Sequence, residues 1–104
     1  QFKKQTMLKK QFRITLSEGA TSLCETLATM AAYGNGGRPV TIENLKLVAD
    51  ANLIEYPTIN EGCTVEPIGQ NLLHIDRKIG AEYKNILKIE LIEVMEPELP
   101  AEEN

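Results

Sequence analysis

Apolar and polar residues alternate over residues 7–16 (MLKKQFRITL), where Phe12, Ile14 and Leu16 are interleaved with Gln11, Arg13 and Thr15. A period of two places the apolar groups on one face and predicts a strand. Ser17-Glu18-Gly19 ends that pattern. Over residues 21–33 the period lengthens, with Leu23, Leu27, Met30 and Ala31 at i, i+4, i+7 and i+8, one stripe of a helix. Ser22 with Glu25 three residues later has the form of a capping box, and Gly34 suits the residue that closes a helix. Residues 41–51 fit two patterns. As a helix, Thr41 is the N-cap and Ile42, Leu45, Val48 and Ala49 share a face; as a strand, Leu45, Leu47, Ala49, Ala51 and Leu53 alternate. Ala, Asp and Asn are poor strand formers, and Pro39 and Thr41 are helix-start signals, so a helix is expected.

The second half reads as β structure. Residues 53–59 are expected to form a short extended piece limited by Pro57, followed by a turn at Asn60-Glu61-Gly62. Residues 63–68 form a short strand in which Pro67 argues for a sheet edge. Residues 72–79 (LLHIDRKI) follow the tight connection Gly69-Gln70-Asn71 and place Leu73 and Ile75 on one face. After a turn at Gly80-Ala81-Glu82, residues 86–94 give the strongest strand, with Leu87, Ile89 and Leu91 on one face and Lys88 and Glu90 on the other. Ile92 and Val94 make the polar face apolar near its end, which points to an additional covered surface.

Strands joined by short turns pair antiparallel. The expected fold is therefore α+β, an antiparallel sheet of about four strands with one or two helices packed on one face. A basic arm over 1–6, a single domain over 7–96 and an acidic, mobile tail over 97–104 complete the organisation. Residue 1 is Gln. Either a leader precedes it, or Met7 is the natural start and residues 1–6 are an addition. No intact signal segment or membrane-length apolar run is present, which favours an intracellular location or a place within a particle.

Charge sharpens this picture. The net charge of −4 conceals a segregation: Lys3, Lys4, Lys9, Lys10 and Arg13 lie in residues 1–17 with no acid, whereas the other six cations face all fifteen acids. Residues 90–104 hold six acids and no base. The two ends are therefore complementary, either within one chain or between neighbouring copies. Apolar residues at 42% and charged residues at 25% are in the ordinary globular range and exclude a disordered polyelectrolyte. With no Trp and five other aromatics, the core must rest on Leu, Ile and Val.

Candidate chemistry is sparse. His74 and Asp76 share a strand face, so a Cys63-His74-Asp76 trio is conceivable, but the burial of Leu73 and Ile75 turns His74 outward and favours a solvated face. Cys24 and Cys63 are expected to be reduced and buried, and no spacing implies a metal or a cofactor. The run Gly34-Asn35-Gly36-Gly37-Arg38 offers a possible anion-binding loop through Gly36, Gly37 and Arg38, although it follows a helix where nucleotide loops follow a strand. The arm (Lys3, Lys4, Lys9, Lys10, Arg13) is the expected partner-binding feature. These features suggest a non-enzymatic structural or accessory subunit that binds a protein partner or itself within a larger assembly, with no small-molecule substrate. The alternative is a nucleic-acid-binding module acting through the arm, and a small Cys/His enzyme ranks third.

Overall fold

In the computed structural model, residues 7–34, 36 and 38–96 are described. The order of elements is β1 (Met7–Leu16), α1 (Ser22–Tyr33), α2 (Ile42–Glu55), β2 (Cys63–Ile68), β3 (Leu72–Ile79) and β4 (Glu82–Glu96). The four strands form one antiparallel sheet in the order β1-β4-β3-β2. The expected α+β class and antiparallel sheet are thus present. β1 and β2 are the two edges, β2 being the strand that contains Pro67.

The period-two pattern explains the core. Val65, Leu73, Ile75, Leu87, Ile89 and the half-buried Phe12 and Ile14 turn to the same face, where both helices lie. Leu23, Cys24 and Leu27 descend from α1, and Ile42, Leu45 and Ala49 from α2, to close a single apolar cluster. No described helix covers the other face of the sheet. It is formed mainly by polar side chains such as Arg13, Glu90, Lys88, His74 and Glu66.

Three expectations are corrected. First, residues 53–55 are not extended, because α2 continues to Glu55. The Tyr56 amide still closes onto the Asn52 carbonyl at 2.8 Å before Pro57 ends the helix. Buried Asn60 fixes this terminus by donating from Nδ2 to the Asn52 Oδ1 at 2.9 Å and to the Tyr56 carbonyl at 3.1 Å. Residues 56–62 then run as turns.

Second, the Ser22/Glu25 capping box is not formed. Thr21 is the N-cap, and its hydroxyl turns inward to the Cys24 sulfur at 3.7 Å. The box occurs instead on α2, where Thr41 Oγ1 accepts from the Asn44 amide and Asn44 Oδ1 accepts from the Thr41 amide.

Third, β4 is longer than 86–94, and Glu82 belongs to it rather than to the turn. A bulge interrupts the β3–β4 register: Ile75 faces Leu87 but Asp76 faces Asn85. Ile86 is the additional residue, and both Ile86 and Leu87 are fully buried. The Asn85 amide holds the irregularity by donating to the Asp76 carboxylate and to the Ile75 and Leu87 carbonyls, all within 3.3 Å.

Residues 1–6 and 97–104, including Lys3 and Lys4, lie outside the described residues.

Candidate functional site

The sheet register separates the candidate nucleophile from the candidate base. Cys63 faces Arg77, whereas His74 faces Glu66 further along the same ladder. Cys63 packs against the core on the helix side, and His74 and Asp76 lie on the opposite face with Lys88 and Asn85 across from them. The trio is not brought together. Both cysteines are free thiols, Cys24 fully buried and Cys63 half-buried. Burial pushes the Cys63 thiol above its ordinary value, which disfavours the thiolate; the Arg77 charge opposes that shift. His74 Nε2 is buried without a hydrogen-bond partner. Among the described residues, no three His, Cys, Asp or Glu side chains gather where a metal ion could be held.

The described part of the basic arm is β1 itself. Its charges are divided by strand alternation: Lys9 and Arg13 are on the open face of the sheet, and Lys10 is on the helix face. β4 supplies acids opposite them. Arg13 Nε donates to Glu90 Oε1 at 2.9 Å, and Lys10 lies across from Glu93. The hydrogen bond from Arg13 holds the Glu90 carboxyl below the usual carboxylate range. Complementarity between the basic start and the acidic end of the sequence is therefore realised within one chain at this pair.

No known protein family matches the chain, and neither the curated proteins nor the solved structures yield a match. The functional reading rests on geometry and charge alone.

Beyond the end of β3, at Leu72 opposite Glu90, β1 and β4 continue as a two-stranded ribbon from Gln11–Ile92 to Met7–Glu96. Ile92 and Val94 are half-buried on the ribbon's open face, and Met95 is 59% exposed on the other. The extra cover expected near Ile92 and Val94 is not supplied by any described element. At the base of this ribbon, on the helix side, a groove of about 650 Å³ lies between β1, the end of α1 and the segment leading to α2. Lys9, Lys10 and Arg38 line it together with Phe12 and Ile14, and among the described residues no acid does. The structure thus joins two separate sequence features, the basic strand and the arginine of the glycine-rich turn.

The turn itself serves the chain path. Gly34 has φ +80° and its amide caps α1 by donating to the Met30 carbonyl at 2.7 Å. A Cβ there would lie 2.3 Å from the Arg38 carbonyl oxygen, so only glycine allows the turn to close. Gly36 has φ +66°, Arg38 is exposed, and Gly37 lies outside the described residues.

α2 is a helix with one buried side, and the residues of the alternative strand pattern are divided between its two sides. Leu47 is 61% exposed and Ile54 82% exposed, with exposed Ala51 between them at helical spacing. They form an apolar stripe on the side of α2 opposite Leu45 and Ala49. No described helix is long and apolar enough to cross a membrane.

Proposed function

We propose that the chain is a non-enzymatic structural or accessory subunit that binds a protein partner, or further copies of itself, within a larger assembly. The observation that carries this reading is the unpartnered stripe of Leu47, Ala51 and Ile54 on α2. Scattered apolar residues are common on surfaces, but large aliphatic side chains aligned on one helix face and left this open suit a contact surface. The open edge of β1 and the ribbon add further surface of the same kind. The reading assigns no catalytic role to Cys63 or His74, whose side chains lie on opposite faces of the sheet.

Native mass spectrometry of the protein isolated from its natural source tests the proposal, because it reports copy number and bound partner together. More than one copy, or a stoichiometric partner, is expected. A bare monomer there, and a monomer by sedimentation at high concentration and ordinary salt, would falsify it. Nucleic-acid binding through the arm is the competing reading. It predicts steep weakening with salt, and the pairing of Arg13 with Glu90 leaves it fewer free cations on β1.

A further inference from the structure

We propose that the open edge of β1 takes up an extended, acidic segment of a partner protein as a fifth strand, with side chains of that segment entering the groove beside Lys10. The inference rests on the assembly reading above and supplies the partner's chemistry.

The hydrogen-bonding parity of β1 provides the first support. The Ser17 amide donates to the Ile86 carbonyl at 3.2 Å, so odd residues of this strand turn their backbone groups towards β4. The even residues Lys10, Phe12 and Ile14 therefore present N–H and C=O groups to an edge that no described strand pairs, a ready template for another strand. The same residues point their side chains to the helix face, where the groove lies alongside.

Charge selects the occupant. Among the described residues, three cations and no acid line the groove, in a chain whose net charge is −4. A second β1 is a poor partner, since antiparallel pairing centred on Gln11 sets Lys9 against Arg13 of the other copy. Residues 97–104 are acidic, but Pro97 and Pro100 remove the amide donors that strand addition needs. A nucleic acid carries no row of peptide N–H and C=O groups and cannot continue the ladder at this edge. An extended segment with alternating acidic and apolar residues meets none of these obstacles. Its acids enter the groove towards Lys10 and Arg38 on the helix face, and its apolar groups lie on the open face along the aliphatic stems of Lys9 and Arg13.

The test uses a fluorescein-labelled acetylated octapeptide of alternating Glu and Val, the same peptide with Lys in place of Glu, and a single-stranded oligonucleotide. Each is titrated against the full chain by fluorescence polarisation, with amide NMR shifts recorded. The Glu peptide is expected to bind saturably and to shift Lys10, Phe12 and Ile14. Lys9→Glu combined with Lys10→Glu weakens it roughly tenfold. Lys10→Pro weakens it roughly tenfold relative to Lys10→Gln, because an edge donor is lost in addition to the charge. If Lys10→Pro unfolds by circular dichroism, the double charge reversal still decides the matter. Absence of binding, equal binding of the Lys peptide, shifts confined to other elements, or preference for the oligonucleotide each overturn the inference. Should the peptide fail while native mass spectrometry finds a partner or several copies, this inference falls and the assembly reading stands. A bare monomer in that measurement removes both.

Discussion

Two residues make the dependence of this fold on single atoms testable. Gly34 combines φ +80° and ψ −178° with a would-be Cβ contact of 2.3 Å to the Arg38 carbonyl oxygen. That backbone region is nearly restricted to glycine and costs other residues about 1–3 kcal/mol before any clash. Gly34→Ala should therefore destabilise the chain by more than about 2 kcal/mol. Gly69→Ala, at φ +63° with nothing within 4 Å, should cost about 1 kcal/mol. Chemical denaturation of both variants checks the order, and equal losses would show that the close approach to Arg38 is unimportant. Glu90 supplies a pH test. Its folded pKa is lowered by the hydrogen bond from Arg13, so its contribution is present above the ordinary carboxylate value and lost as pH falls through the folded value. The difference in melting temperature between the parent chain and Arg13→Gln should be largest at neutral pH and should vanish in acid. A difference that stays constant across that range would mean that the Arg13–Glu90 pair is not its source. Arg13 is exposed and Glu90 only half-buried, so solvent screens the pair and the effect is small at any pH.

At the level of elements, the strands were legible wherever apolar and polar residues alternated, because a one-residue slip would turn every core side chain outward. β1, β2 and β3 begin and end where alternation and turn residues place them. The bulge in β4 was not legible. Ile86 is buried only because Asn85 finds Asp76 and two carbonyls on neighbouring backbone, a tertiary event with no local pattern. The groove was hidden for the same reason: Arg38 is 28 positions from Lys10 in sequence and joins it only through the fold. Residues 53–55 were misread because Pro57 drew attention to an early break, whereas proline at that point merely follows the helix end. Conversely, Thr41 was a readable start signal, and its reciprocal bonds with Asn44 are the device that decides helix over strand for the residues after it. Thr41→Ala removes the acceptor for the Asn44 amide and should cost about 1 kcal/mol. Thr41→Ser keeps the hydroxyl and should cost less. Thermal unfolding followed at a helix wavelength separates the two, and identical losses would assign the effect to the methyl group.

For the whole molecule, the distribution of apolar surface matters more than any single side chain. One sheet face and one side of each helix consume the core-forming Leu, Ile and Val residues, yet Leu47 and Ile54 remain largely exposed on the far side of α2. Both groups are mostly exposed, so they add little to the stability of the core. Replacing both with lysine separates folding from association. Leu47→Lys combined with Ile54→Lys should leave stability within about 0.5 kcal/mol per site, the usual range for substitutions on an open surface. Lysine is also a good helix former, and a cation near the end of α2 suits the helix dipole. If the stripe is the contact surface, the same variant should lose its partner or its higher copy number in native mass spectrometry. It should also sediment as a monomer at concentrations where the parent chain associates. A variant that assembles as the parent does would move the contact to the ribbon or to the open edge of β1, where Lys9→Glu with Lys10→Glu would then be the disruptive change. A variant that unfolds would mean that the stripe stabilises the monomer, contrary to its exposure. The two charge-altering variants thus localise the interface on opposite parts of the molecule, one on the helix layer and one at the sheet edge, and neither depends on knowing the partner beforehand.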